Sequence, residues 1–164
     1  MASGPEASGP EASGPGRGRR EDLARGRHAA RRLALASVFE AEFGQRTPEA
    51  ILERHLATEA DPDTSAFARS LVANVVRYRD ELDARIGEVA PQYPVVSLAR
   101  MDRALLRCGL CEVLHSPATP ARVAIAEWVE LARTYSGDPM RRLMNGVLGR
   151  VARDLDGTRR DTPV

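Results

Sequence analysis

The sequence contains no lysine, and all 24 of its basic residues are arginine. The absence of lysine excludes enzymes that form a Schiff base on a lysine amine and nucleotide sites built around a phosphate-loop lysine. The motifs GxGxxG and HExxH are also absent. Every cation of the chain is therefore a planar guanidinium, which suits phosphates, carboxylates and the edges of nucleic-acid bases.

Long apolar runs, cysteines and aromatic residues are scarce. No run approaches the about 18 apolar residues of a transmembrane helix, and residues 1–16 lack the apolar core of a signal peptide. Two cysteines without an export signal lead us to expect a cytoplasmic protein. Because only 4% of residues are aromatic, a surface that stacks many bases is not expected.

The net charge of +1 conceals an uneven distribution along the chain. Residues 17–32 hold seven arginines against two acids, whereas residues 33–164 hold 17 arginines against 19 acids. A basic block of this kind is typical of a nucleic-acid-binding arm or of a solvated tail.

Low-complexity sequence and apolar periodicity divide the chain into three parts. ASGP occurs three times within residues 2–15, so we predict a disordered tail over 1–20, a helical domain over 21–157 and a loose C-terminal tail over 158–164. Apolar residues recur at three- and four-residue steps in the domain, which predicts an all-α fold of about six or seven helices. The apolar stripes of the predicted helices cover 25–43, 51–56, 67–89, 97–114, 123–135 and 143–157. Thr47 before Pro48 is predicted to cap the second helix, and Asp61 before Pro62 is predicted to cap the third.

Four side chains near the start of the first predicted helix form the candidate nucleic-acid site. Arg27, His28, Arg31 and Arg32 open an amphipathic helix, where free backbone amides and the helix dipole favour phosphate. The alternative is a solvated basic end with no ligand.

Cys108, Cys111 and His115 share one face of a predicted helix and form the candidate metal or redox site. A structural zinc site needs four ligands, and a thioredoxin-type pair needs a strand-to-helix turn. Neither context is visible, and cysteine is among the most buried residue types, so core packing is the simpler interpretation.

Four segments resemble, in order and spacing, the motifs of the NusB family of bacterial transcription antitermination factors. They are RGRHAARRLALASVFEAEF (25–43), MDRALLRCGLCEVL (101–114), RVAIAEWVELAR (122–133) and LMNGVLGRV (143–151). The chain departs from the family pattern at Cys111, where the family has tyrosine.

The resemblance implies an all-α, NusB-like fold of two three-helix subdomains packed at an angle, and a function without catalysis or cofactor. Members of the family pair with NusE, a small-subunit ribosomal protein, on the boxA element of nascent RNA. There they help RNA polymerase to read through ribosomal RNA operons. The implied partners are boxA-type single-stranded RNA, a NusE-like protein and the RNA polymerase antitermination complex, and a homodimer is left open.

The resemblance also implies residue roles. Arg27, His28, Arg31 and Arg32 fall in the family's RNA-contacting arm.

Further along the chain, the resemblance implies that Arg103 and Arg107 face RNA, with Arg107 favoured. It implies that Glu112 contacts the NusE-like partner. Asn145 is expected either near RNA or between two helices.

Three other classes of function stay open. NusB-like domains also occur fused to ribosomal RNA cytosine methyltransferases, but this chain contains no glycine-rich cofactor loop. A metal- or redox-responsive protein would use the cysteines and His115. A pure protein-interaction scaffold would leave the arginine block unexplained.

Overall fold

Seven α-helices and one short 3₁₀ turn form the computed structural model, which describes residues 14–58 and 61–161. The helices are α1 (Pro15–Ala41), α2 (Pro48–Leu56), α3 (Pro62–Arg77), α4 (Arg79–Val89), α5 (Arg100–His115), α6 (Ala121–Tyr135) and α7 (Asp138–Arg160), with the 3₁₀ turn at Val95–Ser97. No strand occurs within these ranges, which confirms the all-α prediction. None of the described helices is both long and apolar enough to cross a membrane.

The helices form two groups of three. α1, α2 and α3 pack together, and α5, α6 and α7 pack together. α5 also contacts α1 and α3 and so joins the groups, while α4 packs against α3, α5 and α7. Because neighbours surround α5, every residue from Ala104 to Glu112 is buried.

Two helix starts follow the predicted capping chemistry. The Thr47 hydroxyl accepts a hydrogen bond from the backbone N–H of Ala50 at 3.2 Å, with Pro48 at the first helical position. Asp61 accepts from the N–H groups of Asp63 and Thr64 at 3.0 Å each. These caps set where α2 and α3 begin.

Gly109 allows α5 to approach its neighbours closely. A Cβ atom at this position would lie 2.8 Å from the methyl carbon of Met144 and 3.2 Å from Cβ of Trp128. The glycine therefore brings α6 and α7 close to α5 and positions Trp128 beside the polar groups of that helix.

The predicted element boundaries are wrong at three places. α1 begins at Pro15, so residues 15–20 are helical and not part of a tail; these residues are polar or small and mostly exposed, and apolar periodicity does not detect a helix of this kind. The predicted helix 67–89 is two helices that meet at Tyr78, whose ψ of 13° interrupts the first. α7 continues to Arg160, beyond the predicted end at Gly157. The remainder of the predicted N-terminal tail, residues 1–13, lies outside the described residues, as do residues 162–164.

Candidate nucleic-acid interface

Residues 17–32 of α1, which we call the arm, present arginine side chains to solvent. Arg19, Arg20 and Arg32 are exposed, and none forms a hydrogen bond or ion pair with a residue that the structure describes. Arg27 is partly exposed, with its guanidinium 5.2 Å from the centre of the Phe67 ring. This part of α1 therefore carries cations that no carboxylate of the described residues neutralises.

Two acids reduce the charge of the same segment. Arg17 lies 3.6 Å from Glu21, and Arg25 pairs with Asp22. All four side chains are well exposed, and exposed pairs of this kind contribute little to stability. An incoming phosphate can therefore replace either carboxylate at small cost.

Arg31 points into the protein. Its Nε donates to both carboxylate oxygens of Glu112 on α5, at 3.1 and 2.9 Å, and its Nη2 donates to Oε1 at 2.6 Å. Arg31 is 2% exposed and Glu112 is fully buried. The indole N–H of Trp128 on α6 donates to the same carboxylate at 2.6 Å. One charged cluster thus ties α1 to α5 and α6.

His28 lies at the solvent edge of this cluster. Its Nδ1 is 2.8 Å from Oε2 of Glu127 on α6, and the same oxygen is 3.6 Å from Nη1 of Arg31. The His28 side chain is 43% exposed. The buried cluster therefore continues without a break to the exposed arm of α1.

The position of Arg31 in the sequence carries a signal of its burial. Ala34, Leu35 and Val38 follow it by three, four and seven residues, and all three are buried. An arginine inside an apolar stripe predicts an acidic partner in the interior, because an unpaired buried charge is costly. Arg32 is followed by apolar residues at the same three spacings, Leu35, Ala36 and Phe39, and is nevertheless exposed, so the two arginines share this signal and only the folded structure shows which one is buried.

A second ion-pair cluster joins the end of α1 to α4 and α5. Nε and Nη2 of Arg107 each lie 2.8 Å from a carboxylate oxygen of Asp83, and Nη1 donates to Glu42 at 2.9 Å. Arg103 donates to Glu42 at 3.1 and 2.8 Å, and to the carbonyl of Leu98 at 3.2 Å. The Arg107 and Arg103 side chains are only 8% and 15% exposed.

The pKa of Glu42 reflects this cluster. Partial burial opposes ionisation, but the hydrogen bond from Arg103 and the positive charges of Arg103 and Arg107 outweigh it. The pKa of Glu42 is therefore held below its ordinary value of 4.5.

The structure corrects four predicted contacts. Arg31, Arg103 and Arg107 cannot face RNA in this structure, because their guanidinium groups are largely buried and paired with carboxylates. Glu112 cannot contact a partner protein, because its side chain is fully buried against Arg31 and Trp128. These four side chains hold helices together.

The other predicted contacts lie where a ligand can reach them. Arg27, His28 and Arg32 keep part or all of their surface exposed on α1, and their contact with RNA stays a prediction. The expectation that free helix-start amides favour phosphate beside them is wrong, because α1 begins at Pro15 and these residues lie in its middle, so only their side chains can attract a phosphate. Asn145 is exposed on α7 and forms no hydrogen bond with any described residue. It therefore does not hold two helices together, and its contact with RNA also stays a prediction.

The cysteine pair does not form a reactive or metal-binding centre in this structure. Burial raises the pKa of Cys108 well above its ordinary value and that of Cys111 to about 12, so both thiols stay protonated at neutral pH. The His115 ring stacks on Tyr78, with centroids 3.8 Å apart, and lies 3.2 Å from Glu81. Within the described ranges, no group of three histidine, cysteine or acidic side chains could hold a metal ion.

Two grooves border Arg32. One of about 660 Å³ runs between α1, α2 and the start of α3. The other, of about 340 Å³, is mostly apolar and lies between α1, α5 and α6, with Tyr135 42% exposed at its rim. We call it the aromatic groove; its lining residues are Arg32, Leu35, Ala36, Phe39, Glu40, His55, Met101 and Tyr135.

Comparison with known proteins identifies the family. A model of the NusB family matches residues 28–153. Over 140 residues the chain is 36% identical to the transcription antitermination protein NusB of Symbiobacterium thermophilum, covering 80% of this chain and 92% of that protein. It is 38% identical over 128 residues to NusB of Roseiflexus castenholzii, covering 76% and 90%. The chain belongs to the NusB family.

Solved structures share the fold. NusB of T. maritima matches with a TM-score of 0.74 at 26% identity, covering 78% of this chain and 91% of that one. A NusB solved with NusE and double-stranded RNA matches with a TM-score of 0.71 at 21% identity, covering 79% and 98%. At that identity the second match shows the fold alone.

Replacing Arg31 tests the buried cluster. Arg31→Ala leaves the Glu112 carboxylate buried without its cation, so we expect the free energy of unfolding to fall by about 3–5 kcal/mol. The matched control is Arg32→Ala, one residue away and exposed, which should change the stability little. Urea denaturation measures both, and equal effects of the two variants would contradict the structural role of Arg31.

Glu42 makes part of the stability depend on pH. Because its folded-state pKa lies below 4.5, the ionised carboxylate stabilises the fold above that pH, and this contribution is lost as the pH falls through the folded-state pKa. Glu42→Gln should therefore destabilise the protein most at neutral pH. Denaturation series should show the difference from wild type shrinking in acid, and a difference independent of pH would contradict the assignment.

Proposed function

We propose that the protein is an RNA-binding transcription antitermination factor. It pairs with a NusE-like small-subunit ribosomal protein on boxA-type single-stranded RNA of nascent ribosomal RNA leaders. Within the cytoplasmic RNA polymerase antitermination complex it supports processive transcription of ribosomal RNA operons. It acts by binding RNA and a partner protein together, without catalysis.

The observation that carries the RNA proposal is the division of α1 into inward and outward cations. Arg31 anchors the helix to α5 and α6, while Arg27 and Arg32 stay free to meet phosphates. Arg19 and Arg20, which the sequence placed in a tail, extend the same exposed helix towards its N-terminus. Phosphate contacts of this kind supply affinity and register, and little sequence information.

Sequence preference then has to come partly from a second protein. The aromatic groove offers that protein a docking surface, because exposed apolar and aromatic patches mark protein interfaces. Arg32 lines the groove and also belongs to the arm. A partner seated against Tyr135 therefore lies beside the RNA, where the two proteins can hold one strand together. This surface replaces Glu112 as the proposed partner contact.

Removing two exposed cations tests the arm. Arg27→Ala combined with Arg32→Ala should weaken binding to boxA-type RNA, and the slope of log K against log salt should become shallower by about 1.4, at 0.7 per lost phosphate contact. Fluorescence anisotropy at several salt concentrations measures both quantities.

The control for the arm variant removes the same charge elsewhere. Arg69→Ala combined with Arg133→Ala deletes two exposed arginines that pair with Glu53 and Glu130. It should leave the salt slope unchanged. Equal losses in the two double variants would show that only overall charge matters and would contradict the proposed arm.

Tyr135→Asp tests the aromatic groove. Burying a charge at a docked aromatic position should weaken the complex with the NusE-like protein by about 30-fold or more, the size of an interface hot spot. The control is Val123→Asp on the same helix, because Val123 is 40% exposed against 42% for Tyr135. Titration calorimetry measures both, and undiminished affinity for the Tyr135 variant would rule out this docking surface.

A further inference from the structure

A second basic surface lies on α7, in the other helix group from the arm. Between the end of α4 and the outward face of α7 runs a groove of about 310 Å³, which we call the α7 groove. Its lining residues are Val89, Ala90, Gln92, Arg142, Leu143, Gly146, Val147, Arg150 and Arg153. No acidic side chain is among them.

The cations of the α7 groove are largely free. Arg142 and Arg153 are exposed, and neither forms a hydrogen bond or ion pair with any residue in the described part of the chain. Arg150 lies 3.5 Å from Asp154, but Asp154 is shared with Arg85, which lies 3.2 Å from it. The groove therefore has an excess of positive charge and fits an anionic ligand.

The arrangement of the arginines favours an extended anion over a single phosphate. Arg153 follows Arg142 by eleven residues and Arg160 follows Arg153 by seven, so all three lie within about 20° of one line along the helix. At 1.5 Å per residue the successive separations are about 16 and 10 Å. Gly146 lies between the first two, and a Cβ atom there would meet no atom within 4 Å. Backbone-sized groups can approach the helix closely at that point.

An exposed aromatic residue stands next to the opposite wall. Tyr93 directly follows Gln92 and is 45% exposed, in a turn where its N–H donates to the carbonyl of Ala90 at 3.0 Å. A line of cations beside an exposed aromatic ring is the combination that binds single-stranded nucleic acid, since phosphates meet arginines and a base stacks on the ring. An acidic polypeptide would use the cations but has no comparable need for the ring.

We propose that the α7 groove binds the phosphodiester backbone of single-stranded RNA, with Tyr93 stacking on a base. The RNA is the same transcript that the arm of α1 binds, so this inference rests on the proposed function. α1 and α7 each pack against α5 and belong to different helix groups, and the groove therefore holds nucleotides beyond the segment held by the arm.

The experiment compares RNAs of different length on the full chain. One RNA is a boxA-type strand of about 12 nucleotides, near the upper range of a single site. Two others carry about 20 further unpaired nucleotides at the 5′ or the 3′ end, which span about 70 Å at 3.4 Å per nucleotide. That reach exceeds the about 40 Å diameter of a domain of this size.

The groove variants are Arg142→Ala combined with Arg153→Ala, and separately Tyr93→Ala. Wild type should bind one of the long RNAs more tightly than the short RNA, and each groove variant should remove most of that gain without changing binding to the short RNA. For the long RNA, the salt slope of the double variant should be shallower by about 1.4. Tyr93→Ala should lower affinity for the long RNA by about fivefold or more.

Matched controls separate the two proposals. Arg69→Ala combined with Arg133→Ala should keep the full increase in affinity for the longer RNA. The unfolding midpoint of each variant reports whether its fold is intact. If the groove variants keep the gain, or if wild type binds all three RNAs equally, the α7 groove is not an RNA site, while the arm remains supported by its binding to the short RNA. If the groove variants instead lose binding to an acidic protein, the RNA assignment is overturned. If wild type binds no RNA, both proposals fail.

Discussion

The ion pair between Arg31 and Glu112 is the interaction on which the functional surface depends. It is an interior contact between α1 and the helix that joins the two groups, and Trp128 completes the hydrogen bonding of the carboxylate. A buried pair of this kind is weak evidence for high stability, because desolvation offsets much of the attraction. Its geometric effect is clearer, since it fixes the rotation of α1 about its axis. With Arg31 held inside, Arg32 is turned to solvent and towards the aromatic groove.

This arrangement explains how a chain of nearly neutral charge can bind a polyanion. The cations of the interior clusters are neutralised by carboxylates, as Arg107 is by Asp83 and Glu42. Both α1 and α7 carry exposed arginines without a carboxylate partner among the described residues, Arg19, Arg20 and Arg32 on the first and Arg142 and Arg153 on the second. These cations attract a polyanion locally, and salt should weaken binding at both surfaces.

Apolar periodicity predicted the helices, because packing against a core requires a periodic stripe, and the Thr-Pro and Asp-Pro pairs at Thr47 and Asp61 predicted two caps. Periodicity did not predict the start of α1, which has no apolar stripe, or the break at Tyr78, where both flanking helices continue to pack on α5. The motifs identified the family.

Residue roles were harder to predict than the fold, because a motif gives a position and not the direction of a side chain. Arg31 and Arg32 are equivalent in composition and opposite in orientation. Apolar residues follow both arginines at the same three spacings, so the sequence pattern does not separate the two. The sequence does not distinguish Glu112 as interior either, since a pair 81 residues apart depends on the folded arrangement.

We propose that the exposed arm of α1 and the aromatic groove beside it act together on one RNA strand. The most direct measurement is the affinity of a boxA-type RNA for the chain, for its NusE-like ribosomal partner and for the two proteins mixed, at moderate ionic strength. We expect the mixture to bind the RNA more tightly than either protein alone. An affinity for the mixture no greater than that of the stronger single protein would contradict it.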